Sequence, residues 1–424
     1  MQHDCYPKSP SDWPKVPLSA LAELNPRYPV RKGVDYPFIE MAAVGENFRG
    51  ILSMDRRRLE GSGLTRFKAH DTLFAKITPC PENGKVAFVG ALPAEVGLGS
   101  TEFIVLSPRG GTDPRFLFHL ACSHALRGRA VARMEGSTGR QRVPLDAFDR
   151  RLLVPKPSPD EQAAIARVLD GVDAAADRTI EAIDQARVAR LALMQAAFNF
   201  ELTSEDQQDT DAGRIPKSWQ ALKGKQAFSV LTGGNSSVNA LRPLRNEDVA
   251  DAWFMKVDDF NLPANQRQIV TTQIGFVGRK NPTFKLLPIG TVVIAKRGAA
   301  ILKNRVRTTA VSVALDPNLM ALRVRDDILP EFFRYQLEWR NLARYVESSG
   351  VPQLNNKDLY PRWFVRAPED QQREIVELIA AAERHEDALR SKLQSLEALK
   401  KSLMHDLLTG TVRVDPAILQ EQQA

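Results

Sequence analysis

The chain has 424 residues, 43% hydrophobic and 26% charged, a length and balance that hold two or three domains with their own cores and exclude wholesale disorder. It offers no run of about 18 apolar residues for a transmembrane span, and its first twenty residues lack a signal-peptide core, so a cytoplasmic protein with no membrane role is expected. The net charge of +7 favours an anionic partner, while three cysteines (Cys5, Cys80, Cys122) without CxxC spacing argue against a disulfide framework or a zinc site.

Residues 1–155 alternate short apolar runs with Gly, Pro, Asp and Asn. Phe38–Met41, Thr72–Ala75, Lys85–Val89 and Glu102–Leu106 read as strands, and Arg115–Arg133 as a helix. In residues 156–202 the texture changes: Ile165, Leu169, Val172, Ala176, Ile180, Ile183, Leu191, Met194 and Phe198 recur at steps of three and four. That spacing predicts one amphipathic helix of some forty residues, roughly 60 Å long at ~1.5 Å per residue. Pro157 and Pro159 precede it, and Asp160 and Glu161 place negative charge at its N-terminal dipole. The polar stretch 203–213 reads as a linker. Residues 214–366 repeat the first texture, with strands at Phe254–Val257, Thr291–Ala295 and Thr309–Val313 and a helix over Pro330–Val346. Residues 367–412 repeat the long helix, striped by Ile375, Leu378, Leu389, Leu393, Leu396 and Leu403 and ending at Thr409-Gly410, before a tail at 413–424.

The halves also echo each other residue by residue. Glu135-Gly-Ser-Thr-Gly-Arg-Gln-Arg-Val-Pro-Leu-Asp-Ala-Phe148 lines up with Glu347-Ser-Ser-Gly-Val-Pro-Gln-Leu-Asn-Asn-Lys-Asp-Leu-Tyr360. Asp160, Gln162 and Ile165 then sit over Asp370, Gln372 and Ile375, and Ser11-Asp-Trp13 over Lys217-Ser-Trp219. A period this long marks a duplicated domain, which suits a two-part target. Each long helix must bury its stripe, and the matched pair is expected to pack together, antiparallel, as a rod separating two equivalent domains.

The Pro/Glu-Gln/Ile entry to each helix and the closing Leu407-Leu-Thr-Gly-Thr-Val-Arg-Val414 resemble the specificity subunit of type I restriction-modification systems, over nearly the whole chain. The resemblance implies an α+β protein of two tandem mixed α/β target recognition domains, separated and followed by long helices that pair as an antiparallel coiled coil. It implies that each domain reads half of a split site in double-stranded DNA, that the helices dock methyltransferase subunits, expected to number two, and that restriction nuclease/translocase subunits join. S-adenosylmethionine would belong to the methyltransferase partners, with no cofactor in this chain. Departures are His385, which interrupts the second stripe, Asp370-Gln371-Gln372 in place of the usual Glu-Gln, and poor agreement between the two halves over residues 20–130.

DNA binding needs cations for phosphates and amides or guanidinium groups for base edges. The second domain offers Lys296, Arg297, Lys303, Asn304, Arg305 and Arg307 around Gly298, and the loop Gln353, Asn355, Asn356 and Lys357. In the first domain Lys76 sits over Lys296, with Arg66, Lys68 and Lys85 nearby and the loop Arg140, Gln141 and Arg142. Because that loop recurs in both halves, it reads as a backbone contact or a support rather than a base reader.

Catalysis is not expected. Gly97-Leu-Gly99 and Asn25-Pro-Arg-Tyr28 fall short of a nucleotide fingerprint and a methyltransferase tetrapeptide and read as turns, and there is no Walker loop. His119, Cys122 and His124 would fan around a helix, so no metal site is expected. Two rival readings remain, a structural coiled-coil adaptor that binds no DNA and a stand-alone enzyme.

Overall fold

A computed structural model describes residues 13–137, 139–148, 152–231, 239, 241, 249–281, 283–346 and 350–415. The chain forms two compact units, Met1–Glu181 with Arg390–Ala424, and Ala182–Leu389.

In the first unit, short strands with Gly and Pro between them build β1 (Lys15–Pro17), β2 (Ala22–Leu24), β3 (Asp35–Ile39), β4 (Asp55–Arg58), β5 (Thr65–Phe67), β6 (Thr72–Ala75), β7 (Val86–Phe88), β8 (Gly97–Gly99) and β9 (Phe103–Pro108). Helices α1 (Pro114–Cys122) and α2 (His124–Ala132) follow, then β10 (Leu153–Pro155) and the start of α3 (Pro159–Phe198). The sheets run β2-β9-β6-β7 and β4-β3-β8-β5, and β1 pairs with β10 at the foot of α3. The expected helix over 115–133 is two helices. Ser123 takes an extended conformation (φ −61°, ψ 147°), and its hydroxyl accepts from the Leu126 N–H as the cap of α2. Gly97-Leu-Gly99, read as a turn, is the buried strand β8, where a Cβ on Gly97 would lie 2.3 Å from the Phe67 ring.

The second unit repeats this plan. It holds β11 (Gln207–Thr210), β12 (Gly213–Pro216), β13 (Gln220–Lys223), α4 (Gly224–Ala227), β14 (Phe228–Leu231), β15 (Ala252–Met255), β16 (Gln268–Ile269), β17 (Ile274–Phe276), β18 (Val292–Ala295), β19 (Val306–Thr309), β20 (Val313–Leu315) and β21 (Leu319–Val324). Then come α5 (Pro330–Arg340), α6 (Asn356–Leu359), β22 (Trp363–Arg366) and α7 (Glu369–Thr409). Its main sheet is β14-β21-β18-β19-β16, whose first four strands mirror β2-β9-β6-β7, and β13 pairs with β22 as β1 does with β10. The parallel pair β15·β20 answers β3·β8. The expected strand 309–313 is the last residue of β19, a three-residue connection and the first residue of β20, and the expected helix 330–346 stops at Asn341 (φ +61°), followed by a 3-10 turn. The segment expected as a linker is mostly the β11–β12 hairpin, tied down by the Gln208 amide, which donates to the carbonyls of Pro216, Lys217 and Trp219.

Both long helices form, and α7 ends at Gly410 with φ +75°. Within each unit they run antiparallel and share a core. In the first, Ile165 and Leu169 pack with Met404, Leu407 and Leu408, and Val172, Ala176 and Ile180 share a cavity wall with Leu393 and Leu396. In the second, Met194, Ala197 and Phe198 pack with Ile375 and Ile379. The stripe drawn from sequence needs three corrections. Leu191 and Leu378 are 45% and 39% exposed, with Ile379 taking the buried place beside Leu378. His385 faces out, and Glu383 and Glu386 are the polar residues that enter the seam. Ile183 is buried; Val172, Ile180, Leu389, Leu393, Leu396 and Leu403 are half-buried.

Candidate nucleic-acid interface

In the first unit the chain leaves β6 and runs Lys76-Ile77-Thr78 alongside Gln141-Arg142-Val143. The Val143 N–H donates to the Lys76 carbonyl (2.8 Å), and the Thr78 N–H to the Gln141 carbonyl (3.0 Å). On its other side Arg142 exchanges both backbone hydrogen bonds with Glu135, at 2.8 and 2.9 Å, so it is the central residue of a three-stranded patch. Side chains alternate across such a patch. Val143 is 2% exposed and enters the protein, so Arg142 faces solvent. There its Nε and Nη2 donate to the Glu102 carboxylate at 2.8–3.1 Å. That fork holds Glu102 below the usual carboxylate range and raises the Arg142 guanidinium further.

The second unit builds the same patch. Lys296-Arg297-Gly298 leaves β18 and runs alongside Pro352-Gln353-Leu354, with the Leu354 N–H on the Lys296 carbonyl (2.9 Å) and the Gly298 N–H on the Pro352 carbonyl (2.8 Å). The Lys296 N–H donates to Asn318 (2.7 Å) as the Lys76 N–H does to Glu102 (2.9 Å). Leu354 is fully buried and Gln353 exposed. The backbone therefore sets Gln353 over Arg142, one residue away from the Gln141 match drawn from sequence.

The remaining candidates divide by what they touch. Lys303, Arg297, Lys357 and Asn356 are exposed around the second patch, with Lys296 half-buried; in the first, Arg140 is exposed and Lys76 and Gln141 are half-buried. Lys68 pairs with Glu95 (2.7 Å), Arg66 donates to the Tyr28 carbonyl (2.8 Å) and Lys85 to the Met41 carbonyl (3.1 Å). Asn355 accepts from the Gln353 side chain, while its own N–H donates to Asp358. Three half-buried candidates bond the backbone of their own domain. Asn304 bridges the Glu338 carbonyl and the Leu342 N–H, and Arg305 donates to the Phe260 carbonyl. Arg307 donates to the carbonyls of Asn265 and Val306, and burial pushes its guanidinium down to about 10.

The glutamine of each helix entry has a role its sequence position did not reveal. Gln162 is fully buried. Its Oε1 accepts from the Asp113 N–H (2.9 Å) at the cap of α1, and its Nε2 donates to the Pro157 carbonyl (2.9 Å). Gln372 does the same beside α5, accepting from the Leu329 N–H (2.8 Å) and donating to the carbonyls of Asp327 and Ala367. Next to them, Trp13 donates to Glu161 (3.2 Å) and Trp219 to Gln371 (2.6 Å). Arg413, from the closing motif, caps the first entry by pairing with Glu161 over the Trp13 ring. Each domain is thus bolted to the foot of its own helix.

Charged networks fix the domains to the helix seam. In the first unit, Arg115 and His119 on α1 both hold Asp170, and Lys400 on α7 holds Asp173. Burial by itself raises the Asp170 carboxyl, but the hydrogen bonds from His119 and Arg115 outweigh it and hold Asp170 at about 2. Burial lowers His119 despite the Asp170 hydrogen bond, and its Nε2 lies 2.7 Å from the Asp170 carboxylate. His119, Asp170 and Asp173 lie close enough to hold a metal ion, but Arg115 and Lys400 already neutralise both carboxylates. In the second unit, Arg334 and Tyr335 hold Glu383, and Arg190 holds Glu338 and Glu386. Among the described residues no helix is long and apolar enough to cross a membrane.

No family model matches the chain. It is 27% identical over 239 residues to the type I restriction enzyme EcoEI specificity subunit of Escherichia coli, a match covering 55% of this chain and 39% of that relative, so it spans well under two thirds of the relative's length. Among solved structures, it resembles a chain determined to explain complex assembly and conformational transition of the type I R-M system (TM-score 0.59, 17% identity, 96% of this chain and 100% of that one). It also resembles the type I restriction-modification S subunit from M. genitalium (TM-score 0.54, 15% identity, 94% and 96%). The fold is that of type I restriction-modification S subunits, and the curated relative the chain matches is a specificity subunit of such a system.

Proposed function

We propose that this chain is a sequence-specific DNA-recognition subunit that reads a bipartite target in double-stranded DNA, one half-site per domain. It docks two methyltransferase subunits and restriction nuclease/translocase subunits in the cytoplasm and performs no catalysis itself. The observation that carries this reading is the doubled patch: two domains of one topology each present cations and an amide or guanidinium at the same place, on a fold shared with S subunits. Lys296, Arg297 and Lys303, with Lys76 and Arg140, would neutralise phosphates and set the register on the duplex. The paired helices set the spacing between half-sites. Partner methyltransferases supply S-adenosylmethionine chemistry on an adenine flipped from each half-site.

The test is methylome sequencing of cells expressing this chain together with the methyltransferase encoded beside it, against cells lacking the chain. A split adenine-methylated motif present only with the chain is the expected result. An active methyltransferase without any new motif would leave the coiled-coil adaptor as the better reading.

A further inference from the structure

The geometry points to Arg142 and Gln353 as the specificity-determining pair of the two domains: one backbone position, used twice, that reads a guanine in one half-site and an adenine in the other. This rests on the DNA-recognition reading above and deepens it.

The equivalence is set by the backbone. Each residue lies midway between two hydrogen bonds to the segment that leaves the central strand, Lys76–Thr78 in one unit and Lys296–Gly298 in the other, and each precedes a buried residue, Val143 or Leu354. Both backbones are tied on either side of the exposed side chain, so presenting it to a ligand loses little conformational entropy.

The recurrence of the loop argues for a backbone contact or a support, but at this one position the halves differ, arginine against glutamine, and that difference reverses the expectation. Arg142 spends its Nε/Nη2 edge on Glu102, and among the described residues the end of the fork, Nη1 with the second Nη2 hydrogen, is left to present two parallel donors. Two such donors match the O6 and N7 acceptors of guanine in the major groove. Gln353 donates one amide hydrogen to Asn355 Oδ1 (3.2 Å), leaving Oε1 and the other N–H without a partner among the described residues. An acceptor beside a donor matches the N6 amino group and N7 of adenine. Glu102 and Asn355 are positioning residues, since each hydrogen-bonds the side chain of its reader. Lys76, Lys296 and Arg297 lie on the segments paired with the two readers, from which they would neutralise the phosphates that flank a read base.

The experiment uses the full chain with its methyltransferase and reads the methylated motif for wild type, Arg142→Gln and Gln353→Arg. Arg142→Gln is expected to convert one G·C position to A·T in a single half-site, and Gln353→Arg to convert one A·T position to G·C in the other. For the same purified complex, binding to duplexes carrying each base pair at these positions is measured with Arg142→Ala and Gln353→Ala. Both side chains are exposed, so these truncations keep the fold. Discrimination at one position is expected to collapse by about tenfold to a hundredfold, with other positions unaffected. Glu102→Gln is expected to blur the guanine position alone and to leave the salt dependence of binding unchanged. A wild-type split motif that both swaps preserve, or alanine variants that weaken all sequences equally, would overturn the assignment while sparing the proposed function. Absence of any split motif with the wild-type chain would instead sink the function itself.

Discussion

Gln162 and Gln372 show how much one buried amide can organise. Each satisfies the N–H of a helix-capping residue, in a part-buried hydrogen bond, and a carbonyl at the foot of a long helix, in a buried one. Gln372→Ala would strand the Leu329 N–H and two carbonyls, and is expected to lower the unfolding free energy by about 1–3 kcal/mol, measured by urea denaturation, with exposed Lys357→Ala near zero. The pair of glutamines was visible in the sequence as a repeated letter. Their partners were not, because Asp113 and Leu329 lie 49 and 43 residues away along the chain. His119 and Asp170 give a pH prediction. Burial depresses His119 below its ordinary 6.5, so below that pH the unfolded chain binds a proton the folded chain refuses, and stability falls. Asp170, depressed to about 2 from 3.8, acts in the same direction lower down: its contribution is present above 3.8 and lost as pH falls toward 2. Thermal unfolding from pH 7.5 to 5 should show Tm falling with acidification below 6.5, and His119→Gln should flatten that slope.

At the scale of elements, helix periodicity placed both long helices to within a few residues, because a forty-residue pattern averages over local exceptions. It misplaced Leu191 and Leu378, since a helix of 3.6 residues per turn drifts against any fixed three-and-four count. The polar seam residues Arg190, Glu383 and Glu386 break the apolar pattern, and their burial follows from partners on α5 and the facing helix. The loops give the sharper functional prediction. Arg297 and Lys303 are exposed on the second domain and Lys296 is half-buried beside them, whereas Arg305 and Arg307 bond the domain's own carbonyls. Replacing the three by glutamine is expected to weaken binding to all duplexes alike and to reduce the slope of log K against log salt by about 1 per lost phosphate contact. Arg307→Gln should lower stability without a change in that slope. Unchanged binding in the triple variant would favour the adaptor.

For the whole molecule, the duplication extends through residues 20–130, where the two halves no longer agree in sequence. The order β2-β9-β6-β7 returns as β14-β21-β18-β19, and the parallel pair β3·β8 returns as β15·β20. Strand cores accept many apolar residues of similar volume, so topology outlasts identity. If the paired helices set the distance between half-sites, inserting one heptad after Asp184 and one after Arg390 keeps the seam facing inward while adding about 10 Å of helix. Methylome sequencing is then expected to report the same two half-sites with a longer spacer; an unchanged spacer would assign the spacing to something other than these helices.

By itself the sequence determined the doubling, the two long helices and the cations that border Gly298, because periodicity and repeated motifs are local properties of the chain. Only the tertiary structure decided that Arg142, not Gln141, stands where Gln353 stands, that Asn304 and Arg307 bond backbone groups of their own domain, and that Gln162 and Gln372 bolt each domain to its helix. Those facts depend on hydrogen bonds between segments tens of residues apart, and on which face of a short strand is buried. A single-residue slip in register reverses that face, and no pattern within either segment records it.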